Sequence, residues 1–72
     1  MAEERLANHL KLHRAARDLT QADLAELIGT TRKSINAIET GRMVPSTILA
    51  LKLARALDLP VESIFSLNSD AS

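Results

Sequence analysis

Residues 19–41 read LTQADLAELIGTTRKSINAIETG, and this stretch decides the fold. It divides into two short amphipathic helices separated by Gly29-Thr30-Thr31. The first opens on a capping box: the Thr20 hydroxyl can accept from the amide of the third helical residue, while Asp23 reaches back to the Thr20 amide. Asp is shorter than the Glu usual at that place, which weakens the reciprocal half. Leu24, Leu27 and Ile28 supply the apolar side, and Gly29 ends the helix. Thr31 is the expected N-cap of the second helix, with Ile35 and Ile38 on its buried side. Gly41 closes that helix after about 2.5 turns at 3.6 residues each.

Two helices joined so tightly form a helix-turn-helix only if certain positions are filled correctly. Ala25 must be small because the second helix crosses over it. Gly29 must be free to adopt positive φ in the turn. Ile35 and Ile38 then hold the second helix down, so its opposite face points into solvent or into a DNA major groove.

Outward from this unit the helical pattern continues. Leu6, Leu10, His13 and Arg17 recur at spacings of four, three and four, which predicts a first helix near residues 3–17. Glu3 and Glu4 would sit in its first turn, favoured by the macrodipole. Asp18 would end it in a left-handed conformation. Pro45 and Ser46 open a fourth helix, with Ser46 as N-cap. Its apolar residues Ile48, Leu49, Leu51, Leu53, Ala54 and Leu57 cover more than one stripe, which predicts the central, most buried helix. Pro60 starts a last helical turn, Val61 to Phe65.

Composition supports an all-α fold. Phe65 is the only aromatic residue, Gly and Pro number two each, and Ala and Leu dominate. The 72 residues make room for one domain, expected over residues 1–67, with 68–72 as a frayed tail. The absence of cysteine removes disulfides and thiolate chemistry. No apolar run reaches the ~20 residues of a membrane span, and the N-terminus lacks a signal peptide's layout, so a cytoplasmic protein is expected.

The residues Leu19 to Ala25, Gly29, Ser34 to Arg42, Pro45-Ser46, Leu51, Leu53-Ala54 and Val61 to Phe65 together resemble the Cro/repressor-like helix-turn-helix regulators, also called xenobiotic-response-element type, in their short stand-alone form. The resemblance spans about residues 5–67. It implies a five-helix repressor-like DNA-binding domain whose recognition helix starts near Thr31. Arg32 and Lys33 at its N-terminal end, Asn36 one turn on and Thr30 in the turn would meet base edges. An arginine or lysine there suits guanine O6 and N7, and Asn36 suits a bidentate pairing with adenine. Gln21, Thr31, Thr40 and Arg42 match positions that touch phosphate. Arg14 and Glu39 match a buried ion pair, and so are structural. The chain departs from the family's pattern at His13, where Leu is usual, at Asp18, where Gly is usual, and at Pro60, where a Ser or Thr cap is common.

Nine basic and nine acidic residues leave no net charge. The charge is segregated, however. Residues 1–57 carry all nine cations against six acids, and residues 58–72 hold only Asp58, Glu62 and Asp70. A locally basic DNA face is compatible with this neutrality, together with modest nonspecific affinity and a shallow salt dependence. His9 and His13 stand four apart but have no third His or Cys to complete a metal site, and Asp23 with Glu26 reads as a solvated face. Neither a nucleophile–base pair nor a phosphate loop is present, so no catalysis and no cofactor are expected. A core this small gains from a partner copy, and two-fold symmetry suits palindromic DNA. The seam is expected at Ile64, Phe65 and Leu67, as in short relatives. Three readings follow: a homodimeric repressor on a pseudo-palindromic operator; an antitoxin that also binds DNA; or a helical interaction module without DNA binding.

Overall fold

The computed structural model describes residues 4–69. The order is strand β1 (Glu4–Asn8), helices α1 (Leu10–Ala16), α2 (Gln21–Ile28), α3 (Arg32–Glu39), α4 (Thr47–Leu57) and α5 (Val61–Ile64), then strand β2 (Phe65–Ser69). The five expected helices are present, and a two-stranded antiparallel sheet pairs residues 4–8 with residues 65–69.

That sheet corrects the expected first helix. Residues 4–8 are extended, and α1 begins only at Leu10. Leu6 faces Leu67 across the ladder and Asn8 faces Phe65. Asn8 fixes the change of direction: its Nδ2 donates to the Ile38 carbonyl at 3.2 Å and its Oδ1 accepts from the Leu10 amide at 3.4 Å. Glu4 therefore opens a strand rather than a helical turn, and Glu3 lies outside the described residues. Arg17 is exposed, with Nη1 donating to the His13 carbonyl. The expected tail boundary at residue 68 falls inside β2, where Asn68 and Ser69 pair with Arg5 and Glu4. Residues 70–72 lie outside the described residues.

The helix ends follow local chemistry. Thr20 and Asp23 form the full capping box, with Thr20 Oγ1 accepting from the Asp23 amide at 2.9 Å and Asp23 Oδ2 accepting from the Thr20 amide at 3.0 Å. The shorter Asp reaches after all, and the Thr20 amide, with the Thr20 hydroxyl second, holds the Asp23 carboxyl below the usual range. Gly29 takes φ +74° after α2, which a side chain would strain. Asp18 and Asp58 adopt the left-handed conformation after α1 and α4.

Leu10, Leu24, Ala25, Ile28, Ile35, Ile38, Leu53, Leu57, Ile64 and Phe65 form one buried cluster. Ala25 is buried in it, as the crossing of the two motif helices requires. Helix α4 is less enclosed than its composition predicts. It buries Leu53, Ala54 and Leu57, but Ile48 is 69% exposed and Leu51 56%. A chain of this length has too little protein to surround a helix.

Candidate nucleic-acid interface

Helix α3 presents the site. Ile35 and Ile38 are buried against the rest of the core, so Arg32, Lys33 and Asn36 stand exposed on the opposite side. Residues 32 and 36 are one turn apart and 33 lies three residues before 36, which puts the three on adjoining rows of one face. Thr31 caps the helix by accepting from the Ser34 amide at 3.1 Å. Among the described residues, Arg32, Lys33 and Arg42 have no hydrogen-bond or ion-pair partner, so their cations are available.

The hydroxyls are less available. The Thr31 hydroxyl proton goes to Ser34 Oγ at 3.1 Å, and that of Thr40 goes to the Asn36 carbonyl at 2.9 Å, with the Ala37 carbonyl 3.3 Å away. Thr30 is half-buried in the turn, where its amide donates to the Ala25 carbonyl at 2.9 Å. Gln21 directs its Nε2 at two protein acceptors, Glu39 Oε1 at 3.0 Å and Asn36 Oδ1 at 3.2 Å. Sequence reasoning missed this coupling because residues 21 and 36 meet only once α2 packs on α3.

Beneath the surface Arg14 grips Glu39. Nε donates to Oε2 at 2.7 Å, Nη2 to Oε1 at 3.2 Å, and Nη1 to the Leu19 carbonyl at 2.7 Å. The side chains are 13% and 3% exposed. One guanidinium thus ties α1 to α3 and to the start of α2. Burial by itself pushes the Glu39 carboxyl up, but bonds from Arg14 and Gln21, with the charges of Arg14 and Lys11, outweigh it and hold the group below its ordinary value. The bond to Glu39 likewise raises Arg14 above its usual value.

A pH dependence follows. Glu39 titrates lower in the folded state than in the unfolded chain, so its contribution is complete above the unfolded value, about 4.3, and is lost as pH falls through the folded one. The urea midpoint of the wild type should therefore be flat near neutrality and fall below about pH 4. A Glu39→Gln variant should be less stable at pH 7 and show a shallower acid limb. Equal acid limbs in the two proteins would remove Glu39 as its source.

The remaining expected site residues sit elsewhere. Ile64 and Phe65, expected at a dimer seam, are packed in the chain's own core, and only Leu67 is exposed. His13 Nε2 donates to the Ser63 carbonyl at 3.1 Å, which occupies that nitrogen within the fold. Among the described residues no helix is long and apolar enough to cross a membrane.

Residues 10–64, from α1 to the end of α5, match the helix-turn-helix family model. The chain belongs to the Cro/C1-type helix-turn-helix family. Among relatives of this helix-turn-helix chain is an uncharacterized HTH-type transcriptional regulator of Methanocaldococcus jannaschii, 43% identical over 65 residues, covering 90% of this chain and 98% of that protein. Another, from Methanothermobacter thermautotrophicus, is 47% identical over 64 residues, covering 88% and 93%. The restriction-modification controller protein C.AhdI of Aeromonas hydrophila superposes with a TM-score of 0.71 at 38% identity over 74% of this chain and 80% of that one. A Bacteroides fragilis protein, 23% identical, shares the fold with a TM-score of 0.77 over 85% of this chain and 98% of its own. These matches place the chain in a family whose named relatives are HTH-type transcriptional regulators.

Proposed function

We propose that the protein is a sequence-specific repressor that binds a pseudo-palindromic operator as a homodimer. The observation that carries this reading is the pair Arg32 and Lys33, without a partner among the described residues, at the exposed start of α3, a helix held down from behind by Ile35 and Ile38. Two such cations can donate to guanine O6 and N7 in the major groove, and Arg42 in the following loop can meet phosphate. Repression is then steric occlusion of a promoter, which puts the protein in the cytoplasm with the nucleoid.

A second copy has a surface to cover, although not the one expected from sequence. The core-facing side of the sheet runs from Phe65 and Asn8 outward to Leu67 and Leu6, which are 71% and 37% exposed. Leu6 and Phe65 line an apolar groove with Val44, Leu51 and Val61. A two-stranded sheet is marginal alone, and burying this extension of the core would stabilise it. We place the dimer seam there, with Leu67 retained and Ile64 and Phe65 as support from within.

Selection of bound duplexes from a random-sequence library at near-physiological salt tests the reading. The expected result is an enriched palindrome with half-sites about 34–36 Å apart, one duplex turn. A single unpaired half-site would remove the symmetric dimer. No enrichment by folded protein would favour the interaction module or an antitoxin that needs its toxin.

A further inference from the structure

The hydrogen bonds behind the recognition face run in one direction. Arg14 can only donate, and ionised Glu39 can only accept. A side-chain amide bonded to Glu39 must therefore present its nitrogen, and Gln21 Nε2 lies 3.0 Å from Oε1. The second proton of the same NH2 group points to Asn36, whose oxygen is 3.2 Å away. A donor at that place obliges Asn36 to turn its oxygen toward Gln21 and leaves its own NH2 group without a protein partner among the described residues. The polarity of the part-buried ion pair is thus transmitted through Gln21 to an exposed residue of the recognition helix.

We propose that this relay makes Asn36 a dedicated hydrogen-bond donor to DNA, with Gln21 as its positioning residue. The proposal rests on the DNA-binding reading above. It replaces two independent contacts by one coupled contact. Adenine recognition needs both the oxygen and the nitrogen of the amide turned to N6 and N7, and here the oxygen is held by Gln21. Phosphate recognition by Gln21 needs an N–H, and both of its protons are engaged. Its remaining polar atom, Oε1, is an acceptor and repels a phosphate oxygen. The Asn36 NH2 group instead suits an acceptor atom: guanine O6 or N7, thymine O4, or a phosphate oxygen.

The test compares wild type, Gln21→Met, Asn36→Ala and the double variant as full chains, each first shown to be folded. Binding is measured on the duplex that the wild type selects, and the base preference of each variant is read from the random library. Each single change should weaken binding about tenfold, with the double variant within about twofold of Asn36→Ala. If the acceptor is a base, both single variants lose a guanine or thymine preference at the same position of the half-site. If it is a phosphate, both weaken binding evenly across sequences and reduce the salt slope by about one. Losses that multiply in the double variant would overturn the relay, because Gln21 would then make its own contact. An adenine preference lost on Asn36→Ala would overturn the donor role.

A measurement on the free protein keeps the two readings apart. In the ¹H–¹⁵N spectrum the Gln21 NH2 protons should exchange with solvent more slowly than those of a solvated amide. The Asn36 signals should move to the values of a freely rotating amide in Gln21→Met. Fast exchange at Gln21 overturns the relay whatever the DNA result. Protected Gln21 protons with no selected DNA overturn the DNA-binding reading, and the role assigned to Asn36 with it.

Discussion

Replacing Arg32 and Lys33 together by alanine is expected to abolish site preference while leaving helicity unchanged. Each good contact to a base edge contributes about 1–3 kcal/mol of discrimination, roughly fivefold to 150-fold per residue. On the proposed reading the two together would supply about 2–6 kcal/mol of the ~4–10 kcal/mol that separates specific from nonspecific binding. The fold should not notice the loss. Both side chains are exposed and partnerless among the described residues, alanine is a strong helix former, and the Thr31 cap is untouched. Circular dichroism and the thermal midpoint should match wild type, whereas a library selection should return no consensus. A consensus that survives unchanged at the base pairs assigned to Arg32 and Lys33 would mean that α3 is not the reading helix.

Arg14→Ala is expected to destabilise the protein by about 3–5 kcal/mol, because it leaves the Glu39 carboxylate buried with only Gln21 as donor. A 72-residue domain has about 4–11 kcal/mol in total, so the variant should be close to unfolded at 37 °C. On the usual size scaling, even 3 kcal/mol lowers the thermal midpoint by about 12–24 °C. Arg14→Lys should rescue little. An ammonium cannot reproduce the paired bonds to both carboxylate oxygens together with the bond to the Leu19 carbonyl. A double Arg14→Met, Glu39→Leu variant should recover part of the stability, since no lone charge remains buried. A cost below about 1 kcal/mol for Arg14→Ala would reduce the bridge to the value of a surface pair.

The two predictions draw on different parts of the chain, and the sequence showed them unequally. Thr20, Asp23, Gly29, Thr31 and Ser46 work through neighbours within a few residues, so their roles as caps and turn were readable from spacing. Ile35 and Ile38 were readable for the same reason, since the period of a helix fixes which residues lie opposite Arg32 and Lys33. The strands were not. Phe65, Leu67 and their polar neighbours alternate over only five residues, and Leu6 also fits a helical spacing with Leu10. Which pattern wins is settled by β1 and β2 pairing across some sixty residues, a contact that no local window contains.

The sequence by itself determined the helix-turn-helix, its turn, its caps and the face that carries Arg32 and Lys33, because these depend on local geometry and helical period. Tertiary structure decided three things. It made residues 4–8 and 65–69 a sheet, moved the exposed apolar surface from Ile64 and Phe65 to Leu6, Val44, Leu51 and Leu67, and linked Gln21 to both Glu39 and Asn36. Each depends on residues distant in the chain meeting at hydrogen-bond or packing distance, and on which of their few donors and acceptors that meeting uses up.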